Sequence, residues 1–213
     1  MKITTYSAKG SAGKTPIATN IALDRNYSIC TNEPYHILDT IIPKERIISV
    51  KSNERFPEIP EDRDIVFDLA GSVPADSSIV ESALRQSDLV IVPIYNEIKS
   101  LNSGINTILI VSQITKNILV VATKLQKKQG EMFTSWENSR EFSEIRGTVD
   151  EYIDFDVPVL PLKYSKVFDA IFEKGKSIRQ IMKSEPLASY TYRHIATQFD
   201  EIYAFIDKAP RRK

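Results

Sequence analysis

Short apolar runs punctuate the chain at Ile3–Tyr6, Tyr27–Cys30, Ile47–Val50, Ile65–Leu69, Leu89–Ile94 and Ile118–Ala122, each bounded by polar residues. Their lengths suit strands. Runs such as Leu89–Ile94 and Ile118–Ala122 hardly alternate between apolar and polar, the pattern of parallel strands covered on both faces. Helical spacing fills the intervals: Ile17, Ala18, Ile21 and Ala22; then Ile79, Ala83 and Leu84; then Leu101, Ile105, Ile108 and Leu109. A last stripe of Tyr192, Ile195, Ala196, Phe199, Ile202, Tyr203 and Ile206 marks a closing amphipathic helix within Ser189–Ala209. Strand and helix therefore alternate, which predicts an α/β fold: a doubly wound, mostly parallel sheet with helices on both faces. Its ligand site should lie beyond the carboxyl ends of the strands. The polar span Lys127–Arg146 reads as mobile or inserted, with room for a helix in Ser135–Tyr152.

Composition narrows the classes. The chain has 213 residues, 42% hydrophobic and 26% charged, as expected of one globular domain over 1–213 rather than a disordered or low-complexity chain. Twenty-eight basic and 28 acidic residues cancel, so an anionic partner must be held by a local patch. One cysteine, Cys30, excludes an internal disulfide and thiolate metal clusters. The two histidines, His36 and His194, are isolated in sequence and suggest no metal site. No signal-peptide core or membrane-length apolar window is present, so a cytoplasmic protein is expected.

The chemistry concentrates after the first strand. Lys9-Gly10-Ser11-Ala12-Gly13-Lys14-Thr15 leaves a predicted strand and opens a predicted helix. Successive backbone N–H groups there can wrap phosphates, helped by the positive end of the helix. Lys14 would bridge β- and γ-oxygens, and the Thr15 hydroxyl would ligate Mg²⁺. Asp64–Gly71 supplies a buried strand ending in Asp68, suited to hold Mg²⁺ through a coordinated water, with Gly71 leaving room beside the terminal phosphate. A strand-terminal aspartate is also a common cap or turn residue.

The early lysine is distinctive. The order Lys9-Gly10-x-x-Gly13-Lys14-Thr15, with Ala8 where the strict phosphate loop has glycine, resembles the deviant Walker A motif of the ParA/MinD family of P-loop ATPases. The likeness extends to Ser87-Asp88–Pro93, Glu97 and Ser100–Gly104, and to Ala170 with Glu173–Ile178. It implies Mg²⁺-ATP as cofactor and a homodimer formed on ATP binding, in which Lys9 reaches the partner's phosphates. Ser11 stands where the family usually has its second glycine, and Pro16 lacks the N–H that normally helps hold the α-phosphate. Looser nucleotide binding follows, by about 1.5–3 kcal/mol. For the family's aspartate switch, Thr31-Asn32-Glu33-Pro34 is the nearest match, placing Glu33 at the attacking water. The short first helix allows Asp39 instead. With Thr31 in place of the first aspartate, slow or absent hydrolysis is open. On the adenine side the resemblance points to Thr123, Lys124 and Pro161, beside Gly10, Ser11, Ala12, Gly13, Lys14, Thr15 and Pro16 on the phosphates.

Seven basic residues, Lys163, Lys166, Lys174, Lys176, Arg179, Lys183 and Arg193, outnumber the acids between Pro161 and Ile195. The resemblance gives them non-specific DNA, bound through phosphates with steep salt dependence and nucleoid association in the ATP state. An ordinary solvated face is the alternative. No membrane contact is expected, because Asp200, Glu201 and Asp207 make the last helix acidic on its polar side. The implied function is plasmid or chromosome partition with a centromere-binding ParB-like protein or a small adaptor. The alternatives are a nucleotide-gated positioning or adaptor protein with little hydrolysis, or a P-loop ligase.

Overall fold

The computed structural model describes residues 1–33, 37–71 and 77–212. Seven strands among them form one sheet: β1 (Lys2–Thr5), β2 (Ser28–Thr31), β3 (Ile47–Ser49), β4 (Ile65–Asp68), β5 (Leu89–Ile94), β6 (Ile118–Leu125) and β7 (Val159–Lys163). Every pairing is parallel, in the order β3-β2-β4-β1-β5-β6-β7. All six sequence-predicted strands are present within a residue or two of their expected ends, β6 excepted, which runs on to Leu125. β7 follows Asp154–Pro158.

The sheet is buried on both faces, which explains the unbroken apolar runs. In β5, Leu89 and Ile91 enter one core while Val90, Val92 and Ile94 enter the other; in β6, Leu119 and Val121 oppose Val120 and Ala122. The first core is closed by α1 (Lys14–Asp24), α5 (Val167–Lys174), α6 (Ile178–Ser184) and α7 (Ala188–Lys208). The second is closed by α2 (Ser78–Leu84), α3 (Ile98–Ser112) and α4 (Arg140–Tyr152). The stripe from Tyr192 to Ile206 lies on α7, and Ile195, Phe199, Ile202 and Ile206 are fully buried by it. Side-chain caps start the shorter helices: Ser77 accepts from Val80 N–H, Ser139 from Phe142 N–H, and Ser177 forms a reciprocal capping box with Gln180. The span expected to be mobile, Lys127–Arg146, contains the start of α4, whose Phe142 and Ile145 are buried there. Only Lys127–Ser139 is left without regular strand or α-helix, and it contains one 3₁₀ turn at Trp136–Asn138. No helix among the described residues is long and apolar enough to cross a membrane.

Register decides where the site falls. Thr5 of β1 pairs with Asp68 of β4, and Asp68 pairs in turn with Thr31 of β2. Three strands thus end at one level, and the segments leaving them meet in one place, the carboxyl edge at the middle of the sheet.

Candidate functional site

The turn from β1 into α1 carries the local cost of an anion cradle. Gly13, the residue before α1, has φ 100°, a conformation open to glycine. Ser11 has φ 59°, the left-handed region that ordinary L-residues avoid. The usual glycine at this position therefore has a conformational reason, and serine adopts the same backbone under strain. Thr123 ties the loop down: its hydroxyl donates to the Ala12 carbonyl at 2.9 Å and lies 3.3 Å from the Ile94 carbonyl. A cavity of about 430 Å³ opens over the loop, lined by residues 10–16, Glu33 and Gly71.

Three charged groups converge beneath it. Lys14 is buried at 5% exposure, and its ammonium donates to the Lys9 carbonyl at 3.2 Å. Burial lowers its pKa, against the attraction of Asp68 and Glu33, which raises it. Asp68 is 1% exposed, and burial pushes its carboxyl up to about 7, against the Thr15 hydrogen bond and the Lys14 charge. Its Oδ1 lies 3.5 Å from the Thr5 hydroxyl, while Oδ2 is buried with no hydrogen-bond partner. An unpaired buried carboxylate oxygen next to a threonine hydroxyl at a phosphate loop is the donor set a hard divalent cation takes, so the residues fit Mg²⁺. Burying the Lys14 ammonium and the Asp68 carboxylate near one another without full pairing is costly, which is typical of a site that waits for its ligand.

Gly71 closes the cavity from the β4 side. A Cβ there would lie 2.7 Å from Lys14 Nζ, 3.2 Å from Gly10 N and 3.3 Å from Lys9 C. The glycine is required because the β4 exit touches the loop itself, a closer approach than the room for phosphate expected from sequence. At the end of β2, Thr31 is buried and its hydroxyl accepts from Glu33 N–H at 3.1 Å, turning the chain so that Glu33 borders the phosphate cavity. Asn32 accepts from Ala70 N–H at 2.7 Å, fastening the β2 exit to the β4 exit. Asp39, the competing switch residue, is exposed on the 3₁₀ turn Leu38–Thr40 and does not line the cavity. Pro34 and His36 lie outside the described residues.

A second cavity of about 240 Å³ adjoins the first and shares Ser11, Gly13 and Pro16 with it. Thr123 and Lys124 line it as expected; Lys124 has φ 57°, at the irregularity between Ala122 and Leu125 in the β6–β7 pairing, and its ammonium lies 4.4 Å from the centre of the Tyr95 ring. Pro161 does not line it and faces a different hollow. Its apolar wall is instead made by Leu162, Tyr164 and Phe168, with Ser165 and Asp169 at its polar edge. Sequence reasoning missed these five by looking at residues entering β7; the rule that ligands sit beyond strand ends pointed to the aromatic pair just after it. The two cavities together join the hollow over the loop to a largely apolar slot.

The other candidates are dispersed. Lys9 is half-buried, does not line the phosphate cavity and forms no ion pair among the described residues. Lys163 lines the second cavity and stands over the Trp136 ring at 5.6 Å. Lys174 pairs with Glu185, and Arg179 pairs with Asp24 and Asp200. Lys166, Lys176, Lys183 and Arg193 are exposed without ion pairs among the described residues. The expected basic run is thus reduced to five cations without ion pairs among the described residues, because Glu185 takes Lys174 and two acids distant in sequence, Asp24 of α1 and Asp200 of α7, take Arg179.

Fold and site together define an α/β protein of the P-loop type, with the glycine-containing loop at the central strand of a parallel sheet. Solved structures narrow the fold further. Over 100% of this chain and 98% of the other, it is similar to a Cyanothece McdA complex with ATP, with a TM-score of 0.65 and 13% identity. It is similar to the MinD cell division protein of Aquifex aeolicus over 88% and 92% of the two chains, with a TM-score of 0.51 and 17% identity. A putative plasmid partition protein from Borrelia burgdorferi bound to AMPPNP gives a TM-score of 0.51 and 15% identity over 94% and 98%. The fold is that of the ParA/MinD ATPases. No protein-family model matches the chain, and no curated protein sequence matches it either.

Proposed function

We propose that the chain is an ATPase of the ParA/MinD kind, which dimerises on Mg²⁺-ATP and positions or partitions a cargo. The observation that carries this reading is the buried, unpartnered Asp68 Oδ2 beside Thr15 and Lys14 under a lysine-rich phosphate loop. Support comes from the shared fold, found in a McdA–ATP complex, a MinD protein and a partition protein bound to an ATP analogue.

In this reading backbone N–H groups of residues 10–15 grip the phosphates, and the Lys14 ammonium leaves the Lys9 carbonyl for the β- and γ-oxygens. Thr15 and Asp68 would hold the cation, which when bound would neutralise phosphate charge. Tyr164 and Phe168 flank the base, while Thr123 keeps the loop shaped. Glu33 orients water at the terminal phosphate through its carboxylate. Lys9, which does not line its own cavity, serves the nucleotide of the second subunit. Lys166, Lys176, Lys183 and Arg193 contact DNA phosphates in the dimer, and a ParB-like protein or small adaptor stimulates turnover.

Sedimentation with Mg²⁺-ATP, Mg²⁺-ADP or no nucleotide, with and without duplex DNA at low and high salt, tests this reading, with Lys9→Ala run beside it. The expected result is ATP-dependent dimerisation and salt-sensitive DNA binding, both lost in Lys9→Ala. A monomer that ignores DNA in ATP removes the partition reading. A second reading, an ATP-gated adaptor with little turnover, is favoured by one observation: apart from Asp68, Glu33 is the one carboxylate at the phosphate cavity among the described residues. Single-turnover hydrolysis separates the two.

A further inference from the structure

α6 has seven residues, too few for a helix to keep its own order, so its shape depends on what grips its ends. Its amino end is gripped by α1. The Asn20 carboxamide, 1% exposed, accepts from Ile178 N–H at 2.9 Å through Oδ1 and donates to the Tyr203 hydroxyl of α7 at 3.1 Å through Nδ2. One turn further along α1, Asp24 accepts from the fully buried Ser177 hydroxyl at 2.9 Å, and the same hydroxyl accepts from Gln180 N–H in the capping box. Of the amides that a helix start leaves without internal partners, one is thus satisfied by Asn20 and one by a serine that Asp24 holds.

An amide is an expensive choice at this position. Asn20 has Ile17, Ala18, Ile21 and Ala22 around it in sequence, all in one core, where an apolar side chain would be buried without desolvating a polar group. The amide is tolerable only with both arms engaged, and engaged arms fix one arrangement of α1, α6 and α7. Charged neighbours tighten that arrangement: Arg25 and Arg179 lie over the Tyr203 ring at 4.7 and 5.0 Å, Arg25 pairs with Asp207 at 2.8 Å, and Arg179 pairs with Asp24. α1 is also the helix that leaves the phosphate loop, and Asn20 stands about 7.5 Å along its axis from Thr15.

Order at the loop therefore has a short path to α6. We propose that Asn20 is a positioning residue that passes the ordering of α1 by a bound nucleotide on to α6, and so sets the two exposed cations on either side of its contact, Lys176 and Lys183. This inference rests on the nucleotide reading above. It requires no displacement: a ligand that stills the start of α1 suppresses the local openings in which Asn20 and Ile178 part, and α6 is ordered with it.

The test is amide hydrogen exchange of the full chain with and without Mg²⁺-AMPPNP. In the parent, the analogue should slow exchange over residues 10–15 and also over Ile178–Ser184, there by up to about tenfold, the effect of one net hydrogen bond. In Asn20→Ala the slowing at the loop should remain and the slowing at α6 should vanish. A residue that merely supports α6 would behave differently, since its loss speeds α6 exchange by the same factor with and without the analogue and leaves the ratio intact. If Asn20→Ala does not fold, Ser177→Gly repeats the measurement, because glycine is a tolerated cap residue and lacks the hydroxyl that Asp24 holds. The proposal is overturned if α6 in the parent ignores the analogue while the loop responds, or if the α6 ratio is unchanged in the variant. A parent whose loop does not respond removes the nucleotide reading and this inference with it.

Discussion

Replacing Asp68 by asparagine should stabilise the nucleotide-free protein, and more so as pH rises. Its carboxyl stands at about 7 in the fold against 3.8 in the unfolded chain, with burial as the main cause. A carboxyl whose folded pKa is raised contributes its stability in the protonated form, below the unfolded value, and loses it as pH climbs through the folded value. At about 1.4 kcal/mol per pKa unit, the full penalty above pH 7 is about 4 kcal/mol, and at pH 5 it is about 2 kcal/mol. Asparagine keeps an acceptor for the Thr15 and Thr5 hydroxyls without the charge. Urea denaturation at pH 5 and pH 8 measures the difference directly: Asp68→Asn should exceed the parent at pH 8 by several kcal/mol, and the gap should narrow by about half at pH 5. Mg²⁺-ATP should then stabilise the parent far more than the variant, since the parent's orphan oxygen gains its partner. A gap that is independent of pH, or a variant less stable than the parent at pH 8, would refute the claim that burial raises the Asp68 carboxyl and leaves it under-paired.

Gly71→Ala should fold normally yet bind an ATP analogue about tenfold more weakly, because a Cβ at 3.2 Å from Gly10 N cannot be relieved by moving the Lys14 ammonium alone; unchanged affinity in isothermal titration would deny the contact. Ser11→Gly should raise Tm, with a gain of up to about 1 kcal/mol, since relief of a left-handed serine exceeds the added chain entropy of glycine; a lower Tm would mean that the serine backbone is unstrained. Cys30, fully buried in β2 with its thiol pushed up to about 12, should resist Ellman's reagent at pH 8 until the protein is denatured. Rapid reaction of the native protein would show that β2 is not covered.

Much of the architecture was legible because a parallel sheet covered on both sides writes itself into sequence as unalternating runs, and α1 and β4 brought recognisable loop and strand-end residues. β7 was harder: Val159–Lys163 carries Pro161 and Lys163, which dilute the run. The loop itself follows from residues adjacent in sequence, and Asp68 joins Lys14 and Thr15 because β4 pairs with β1 in a register that sets Asp68 beside Thr5. The base cavity does not, because its wall joins the start of α1, the end of β6 and the residues after β7, and only folding makes Tyr164 and Phe168 neighbours of Gly13. The same limit applies to charge. A count along the chain could not foresee that Asp24 and Asp200 would neutralise Arg179.

The order of the sheet also sets a schedule for synthesis. β1 emerges first but occupies the centre, and Ile3 finds its two neighbours only at Val66 and Leu89. Until the ribosome has released that much chain, the first strand has unsatisfied edges and the loop after it has nothing to brace against, since its tether Thr123 comes later still. Such distant pairings fold slowly and leave apolar strands open to misassociation. Nascent chains halted before Thr123 should therefore depend on chaperones, and the second cavity is completed later still, when Leu162, Tyr164 and Phe168 have emerged.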